Sequence, residues 1–170
     1  MKKVLVMLFL FLVPLNVFGK EDTFDTAKSS IVMDLDSGRV LYENNADEER
    51  LIASITKIMT CIIAIEKGDL DSEVEAGDEI LKMYGTSIYL ELNEKMKLID
   101  LLYGLMLRSG NDASVVIAKE VAGSVDEFVK MMNEKAKEIG MTNTTFSNPH
   151  GLDEETKNYS TARIRLIEKL

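Results

Sequence analysis

Ser54-Ile55-Thr56-Lys57 sets a hydroxyl and an amine three residues apart, and Ser109-Gly110-Asn111 adds a second hydroxyl and an amide. On a helix, positions i and i+3 share a face, so the Lys57 amine can reach the Ser54 hydroxyl. The chemistry such a set suits is acyl transfer at an amide bond, with a nucleophile, a base beside it and further polar groups for the substrate. An ordinary lysine is protonated at neutral pH, so this chemistry requires a Lys57 that is desolvated or placed near other positive charge. A serine in the first turn of a helix also lies beside backbone N–H groups that favour a developing oxyanion.

Each motif is cheap by itself. Ser-x-x-Lys arises by chance in roughly half of chains this long, and Ser-Gly-Asn between helices reads equally well as a turn and a cap. Weight comes from the elements around them. A helix is expected from Ser54 to Gly68, with Ile58, Ile62 and Ile65 at i, i+4 and i+7 as its inward stripe. A second is expected from Ile99 to Arg108, carrying Leu98, Leu101, Leu102 and Leu105, and Ser109-Gly110-Asn111 breaks it. A third should run from Ala113 to Ala122, capped by Asn111 or Asp112 and stopped by Gly123. Ser124 and Glu127 then form a capping-box pattern ahead of Phe128, Met132, Ala136 and Ile139, a face that ends at Gly140.

Upstream of the first motif, residues 29–43 read as a hairpin. Ile31, Met33 and Leu35 alternate with Val32 and Asp34, Asp36-Ser37-Gly38 supplies the turn, and Val40 and Tyr42 resume the alternation. Residues 69–97 are acidic and irregular and contain the patch Gly85 to Leu90, while Asn143 to Leu152 reads as an ordered loop. One strand pair followed by a helical cluster makes the expected fold class α/β (α+β).

Met1-Lys2-Lys3, the apolar run Val4 to Phe18 and Val17-Phe18-Gly19 have the pattern of a secretory signal peptide over residues 1–19, leaving residues 20–170 as one domain. Loss of Lys2 and Lys3 with that leader takes the formal charge from −9 to about −11. Such a surface excludes nucleic acid and an anionic membrane as partners. Cys61 is the only cysteine, so no internal disulfide supports a chain that meets an oxidising compartment. His150 is the sole histidine, which leaves no zinc site of the His-rich peptidase kind; it is expected to order its own loop. Cys61 and most of the ten methionines read as packing residues, and the Asp47 to Arg50 and Asp69 to Glu79 clusters as solvated surface.

Three blocks in fixed order carry a resemblance. They are Arg50 to Thr60 around Ser54, Gly85-Thr86-Ser87-Ile88-Tyr89-Leu90, and Asp100 to Ala113 around Ser109; Asn133 to Lys137 and Asn148-Pro149-His150-Gly151-Leu152-Asp153 extend them. Over roughly residues 28–162 the chain resembles the serine-type D-alanyl-D-alanine carboxypeptidases, the low-molecular-mass penicillin-binding proteins. The resemblance implies the serine β-lactamase and penicillin-binding protein-like transpeptidase fold. It implies that Ser54 forms the acyl-enzyme, that Lys57 accepts its proton, that Ser109 relays a proton to the leaving amine, and that Asn111 anchors the substrate amide and Lys57. The implied reaction removes the terminal D-alanine from peptidoglycan stem peptides outside the cytoplasmic membrane, without cofactor or metal, and β-lactams would trap Ser54.

The chain departs from the family pattern at Ile52, where Pro is usual, at Ile55, where Thr is usual, and from Arg163 onward. The Lys-Thr-Gly element never occurs, so the expectation is a domain present as its strand pair and helical part, incomplete at its C-terminus, and a weakened enzyme. A class A-like β-lactamase is the alternative within enzymes, although it expects Asp where Gly110 stands. A non-catalytic penicillin- or cell-wall-binding fragment is the alternative outside them.

Overall fold

The structure, a computed structural model, describes residues 26–163. The signal-peptide pattern at residues 1–19 and residues 164–170 of the divergent tail lie outside the described residues. Among the described residues no helix is long and apolar enough to cross a membrane.

Strands β1 (Ser30–Met33) and β2 (Val40–Asn44) form the expected hairpin, antiparallel from Ser30↔Asn44 to Met33↔Val40 with an irregularity between Val32 and Met33. Asp34 builds the turn: its carboxylate accepts from the Ser37 N–H at 2.8 Å and its backbone carbonyl from the Gly38 N–H at 2.9 Å. Leu35 therefore belongs to the exposed turn, and not to the inward set with Ile31 and Met33. Further on, β3 (Arg50–Leu51) leads to a single 3-10 turn, Ala53–Ile55, and then to helix α1 (Thr56–Lys67), which ends at Gly68. Ser54 thus stands in the turn that feeds the helix, and Lys57 in its first α-helical turn.

The inward face of α1 is not the expected one. Ile58 and Ile65 are 51% and 54% exposed, while Thr56, Lys57, Met59, Thr60, Ile63 and Ala64 are buried. This helix is apolar nearly all round, so two stripes fit its period and the surroundings choose between them. Met59 and Ile63 find apolar partners on other helices, while Lys57 and Thr60 donate to the carbonyls of His150 and Pro149 and Thr56 accepts from Asn158.

Residues 69–97 are also more regular than their composition suggests. Strands β4 (Glu73–Glu75) and β5 (Lys95–Lys97) pair antiparallel, with Glu73 opposite Lys97 and Glu75 opposite Lys95 on either side of Val74↔Met96, and a 3-10 helix spans Asp78–Lys82. Three residues with one buried side chain between two charges are too few to show an alternation.

Helix α2 (Leu98–Arg108) buries Leu98, Leu101, Leu102 and Leu105 as its spacing requires. Ser109 adopts a left-handed conformation, φ +57°, and the chain re-enters a helix at once as α3 (Asn111–Ala122). That start is two residues earlier than expected; Gly110 takes the cap position, so the Asn111 side chain is free for other work. Helix α3 is the spine of the molecule. Residues Asn111 to Ala118 are all buried, its Val115, Val116 and Ile117 joining α2, Val74 and Ile80 in one apolar cluster. On its other side Ala118 joins Met59 and Ile63 of α1, Phe146, and Phe128, Met132 and Ala136 of α4 (Val125–Glu138). Helix α4 is capped as expected, the Ser124 hydroxyl accepting from the Glu127 N–H at 3.2 Å. A short strand β6 (Tyr159–Ser160) returns to pair with β3, which brings residues 147–158 against the approach to Ser54.

Candidate active site

Ser54 and Lys57 meet because a tight turn runs straight into a helix. Ala53 has φ +44°, unusual for a residue with a Cβ, and it turns the backbone so that Ser54 is exposed while Thr56 and Lys57 point inward. Lys57 is 2% exposed. Its Nζ lies 3.3 Å from Ser54 Oγ, donates to Asn111 Oδ1 at 2.8 Å, and donates to the His150 carbonyl at 2.6 Å. Burial lowers its pKa from the usual lysine value to about 8.

These three oxygens can take the three hydrogens of the protonated amine, and they also arrange its neutral form, which a pKa of about 8 leaves as the minority at pH 7. A neutral lysine has two N–H bonds and one lone pair. Asn111 and His150 offer only oxygen acceptors and take the two hydrogens, which leaves the lone pair for the direction of Ser54 Oγ. Asn111 is itself oriented by its Nδ2, which donates to the Tyr84 carbonyl at 2.7 Å, so its oxygen and not its nitrogen faces Lys57.

Ser109 lies in the left-handed link between α2 and α3, two residues before Asn111. Its carbonyl accepts from Thr86 Oγ1 at 2.8 Å, and its hydroxyl makes no hydrogen bond to Ser54, Lys57 or Asn111 among the described residues. The structure therefore joins Ser54, Lys57 and Asn111 directly and places Ser109 on the adjoining turn.

Asp112, one residue on, fastens the Gly85–Leu90 patch to this turn. Its carboxylate accepts from Ser87 Oγ at 2.5 Å, Leu90 N at 3.0 Å, Ile88 N at 3.1 Å and its neighbour Ala113 N at 2.9 Å. Burial works to raise its pKa, but the four hydrogen bonds outweigh burial and hold it below the usual carboxylate value. Gly110 is packed into the same corner: a Cβ there would sit 3.0 Å from Asp112 Oδ1 and 3.2 Å from Ile88 Cγ2. An aspartate at 110 would thus press a second carboxyl against the first.

The loop after α4 closes the site from the other side. Thr60 Oγ1 donates to the Pro149 carbonyl at 2.8 Å, one helical turn from Lys57 on the same face. His150 is half-buried, and burial, with the nearby Lys57 charge, lowers its pKa to about 4, so the ring is neutral at pH 7. Its Nδ1 accepts from the Leu152 N–H at 3.1 Å, which puts the ring proton on Nε2. The expectation that His150 orders its own loop holds, and its backbone does more, since its carbonyl is a partner of Lys57. Among the described residues no group of three or more His, Cys, Asp or Glu is arranged to hold a metal ion. Cys61 is partly covered against the α2–α3 cluster, and burial raises its pKa.

Sequence reasoning missed Asn158, Asn148 as an organiser, and the carbonyls of Tyr84 and His150. A backbone acceptor has no signature in residue type. Asn-Pro and the following Gly151 announced a turn, yet not that it would lie on Lys57.

Comparison with known proteins identifies the family and the fold. Residues 18–166 match the Peptidase_S11 family model, described as D-alanyl-D-alanine carboxypeptidase. The chain is 42% identical over 158 residues to the D-alanyl-D-alanine carboxypeptidase DacF of Bacillus subtilis, covering 86% of this chain and 40% of that protein. Among solved structures it superposes on D-alanyl-D-alanine carboxypeptidase DacD of Francisella tularensis with a TM-score of 0.75 at 34% identity, covering 81% of this chain and 34% of the other. Penicillin binding protein 5 of Haemophilus influenzae also gives 0.75 at 34% identity, covering 82% and 43%. The chain spans about two-fifths of the length of the curated relatives it matches. The mixed helix and strand fold expected from the sequence is the fold of these structures. The chain belongs to the D-alanyl-D-alanine carboxypeptidase family, Peptidase_S11.

Proposed function

We propose that the protein is a serine-type D-Ala-D-Ala carboxypeptidase of the cell envelope, removing the terminal D-alanine of peptidoglycan stem peptides through an acyl-enzyme on Ser54. The observation that carries this reading is the surroundings of Lys57: a buried amine with a pKa near 8, two oxygen acceptors on its hydrogens, and its remaining direction on a serine hydroxyl.

In this mechanism the Ser54 O–H proton passes to Lys57 Nζ as Oγ attacks the carbonyl carbon of the penultimate D-alanine. The oxyanion forms beside the backbone N–H of Ser54, in the 3-10 turn that leads into α1. Collapse of the tetrahedral intermediate breaks the peptide bond, and the departing D-alanine amine receives the proton from Lys57, relayed by the Ser109 hydroxyl once that side chain turns toward the amine. Water then attacks the acyl-enzyme, giving its proton to Lys57, and Ser54 is released with its own proton restored. Asn111 keeps the amine aligned and offers its amide to the substrate peptide. A β-lactam carbonyl would enter at the same point and leave a stable ester.

The packing of Gly110 against Asp112 supports the carboxypeptidase over the class A β-lactamase alternative, which needs an aspartate there. Lys-Thr-Gly does not occur in the 170 residues. Loss of the single oxyanion N–H that this element supplies would cost about 2.7–4 kcal/mol of transition-state stabilisation. Acylation by this chain is therefore expected to be slow beside that of a protein carrying the element.

The test is reaction with a labelled penicillin followed by peptide mass spectrometry, on this chain and on a form extended through a Lys-Thr-Gly strand. The adduct is expected on Ser54, absent in Ser54→Ala, and faster in the extended form. A folded extended protein with its adduct on another residue, or with none, overturns the assignment.

A further inference from the structure

One turn touches both members of the dyad. The His150 carbonyl accepts from Lys57, and Gly151 seats so closely on the approach to the nucleophile that a Cβ there would lie 2.0 Å from the Ala53 carbonyl oxygen and 3.0 Å from Ser54 N. Two asparagines, Asn148 and Asn158, hold this turn in shape. Asn148 Oδ1 accepts from Gly151 N at 2.6 Å and His150 N at 3.2 Å, while its Nδ2 donates to Thr156 Oγ1 at 2.7 Å and the Leu152 carbonyl at 3.0 Å.

Behind it sits Asn158, 0% exposed. Its Oδ1 accepts from Ser147 N at 2.7 Å and Asn148 N at 3.2 Å. Its Nδ2 serves the Asn148 carbonyl at 2.9 Å, Asn148 Oδ1 at 3.2 Å and Thr56 Oγ1 at 2.8 Å. Thr56 is the first residue of α1 and the neighbour of Lys57. Only an amide can accept at one end and donate at the other in this plane, so aspartate or leucine would leave one set of partners unmet.

We propose that Asn158 is a positioning residue of the Ser54–Lys57 dyad. By tying Thr56 to the Asn148 turn it sets where the His150 carbonyl meets the Lys57 amine and where Gly151 supports Ala53. It contacts neither substrate nor the reacting atoms. The inference rests on the roles proposed above for Ser54 and Lys57, but the geometry it concerns can be measured without catalysis. The polar groups facing Lys57 are Ser54 from the 3-10 turn before α1, Asn111 from α3 and His150 from the loop; His150 is the one that titrates, and it is neutral above about pH 4. With the turn released, water reaches Nζ, the burial that lowers the lysine's pKa is lost, and its midpoint moves up toward the ordinary lysine value.

The experiment is a 13C NMR titration of lysine-labelled protein, with Lys57 identified by Lys57→Met, alongside labelled-penicillin acylation from pH 6 to 10. Wild type is expected to titrate near 8 and Asn158→Ala about one unit higher, with acylation at pH 7 down about tenfold and largely recovered by pH 10. A purely structural role would reduce the folded fraction without moving the midpoint. A cooperatively melting Asn158→Ala protein whose Lys57 midpoint is unmoved overturns the proposal. Should that variant not melt cooperatively, Thr56→Val, which removes one hydrogen bond at nearly constant volume, is judged by the same criterion. A midpoint that moves as expected, in a protein extended through a Lys-Thr-Gly strand whose Ser54 takes no penicillin, upholds the hold of Asn158 on Lys57 and defeats the enzyme assignment instead.

Discussion

Asn111→Asp is the most direct probe of the buried amine. The substitution exchanges one amide for a carboxylate of the same shape, 2.8 Å from Lys57 Nζ, so it adds a negative charge at the contact that now carries a neutral oxygen. An opposite charge at such range favours protonated lysine and moves its pKa by roughly 1–3 units. From a starting value of about 8, a rise of about two units would carry Lys57 near 10. At pH 7 the neutral fraction would then fall from about one in ten to about one in a thousand, a loss of about 100-fold in any rate that needs the free amine. The assay is the rate of Ser54 acylation by a labelled penicillin between pH 6 and 10.5, with circular dichroism to confirm the fold. The variant's rate should climb tenfold per pH unit through the range where wild type has already levelled, and the ratio of the two should become constant above about pH 10. The new oxygen also faces the Tyr84 carbonyl in place of an N–H, which lowers the whole curve without displacing it along the pH axis. An unmoved profile, whatever its height, would refute the claim that deprotonated Lys57 is the base.

Other outcomes follow from single contacts. Gly151→Ala puts a Cβ 2.0 Å from the Ala53 carbonyl oxygen at a position with φ +85°, so it should destabilise the protein by about 2–4 kcal/mol and slow acylation; urea melts and penicillin labelling measure both, and a wild-type melt would count against the close packing. Phe128→Ala empties a 0%-exposed site in the α1–α3–α4 core and should cost about 3–5 kcal/mol in the same melts, while leaving the Lys57 titration where it is. Asp112 has a pKa lowered on folding, so its contribution is present above the ordinary carboxylate pKa and lost as pH falls through the lower folded value. Asp112→Asn should therefore be less stable than wild type at pH 7 and lose less on acidification; parallel stability curves from pH 7 to 2 would contradict this.

Much of the helical architecture could be read before any coordinates. Leu98, Leu101, Leu102 and Leu105 turn inward as spaced, Ser124 caps α4, and Gly123 in its left-handed conformation ends α3. Reading failed where a choice depended on a distant surface. In α1 two stripes competed, and that of Ile58, Ile62 and Ile65 lost because the mixed one, with Lys57 and Thr60 beside Met59 and Ile63, had the Asn148 turn to bond with. Between residues 69 and 97 the strands were too short to announce themselves. Asn111 looked like a helix cap, and became an internal residue because Gly110 could take that place.

Residue type and spacing pointed to a hydroxyl and an amine meeting one turn apart, and they do so across the junction of the 3-10 turn and α1, because residues i and i+3 are neighbours in either kind of helix. They determined, too, which stretches were helices, because that pattern is local. Whether Lys57 would be a base was decided only in three dimensions. Its pKa depends on exclusion from water by a loop some ninety residues away, and its lone pair on oxygens from Asn111 and His150 that no local pattern could bring together. A proton's affinity is set by everything around the site, and chain order says little about what that will be.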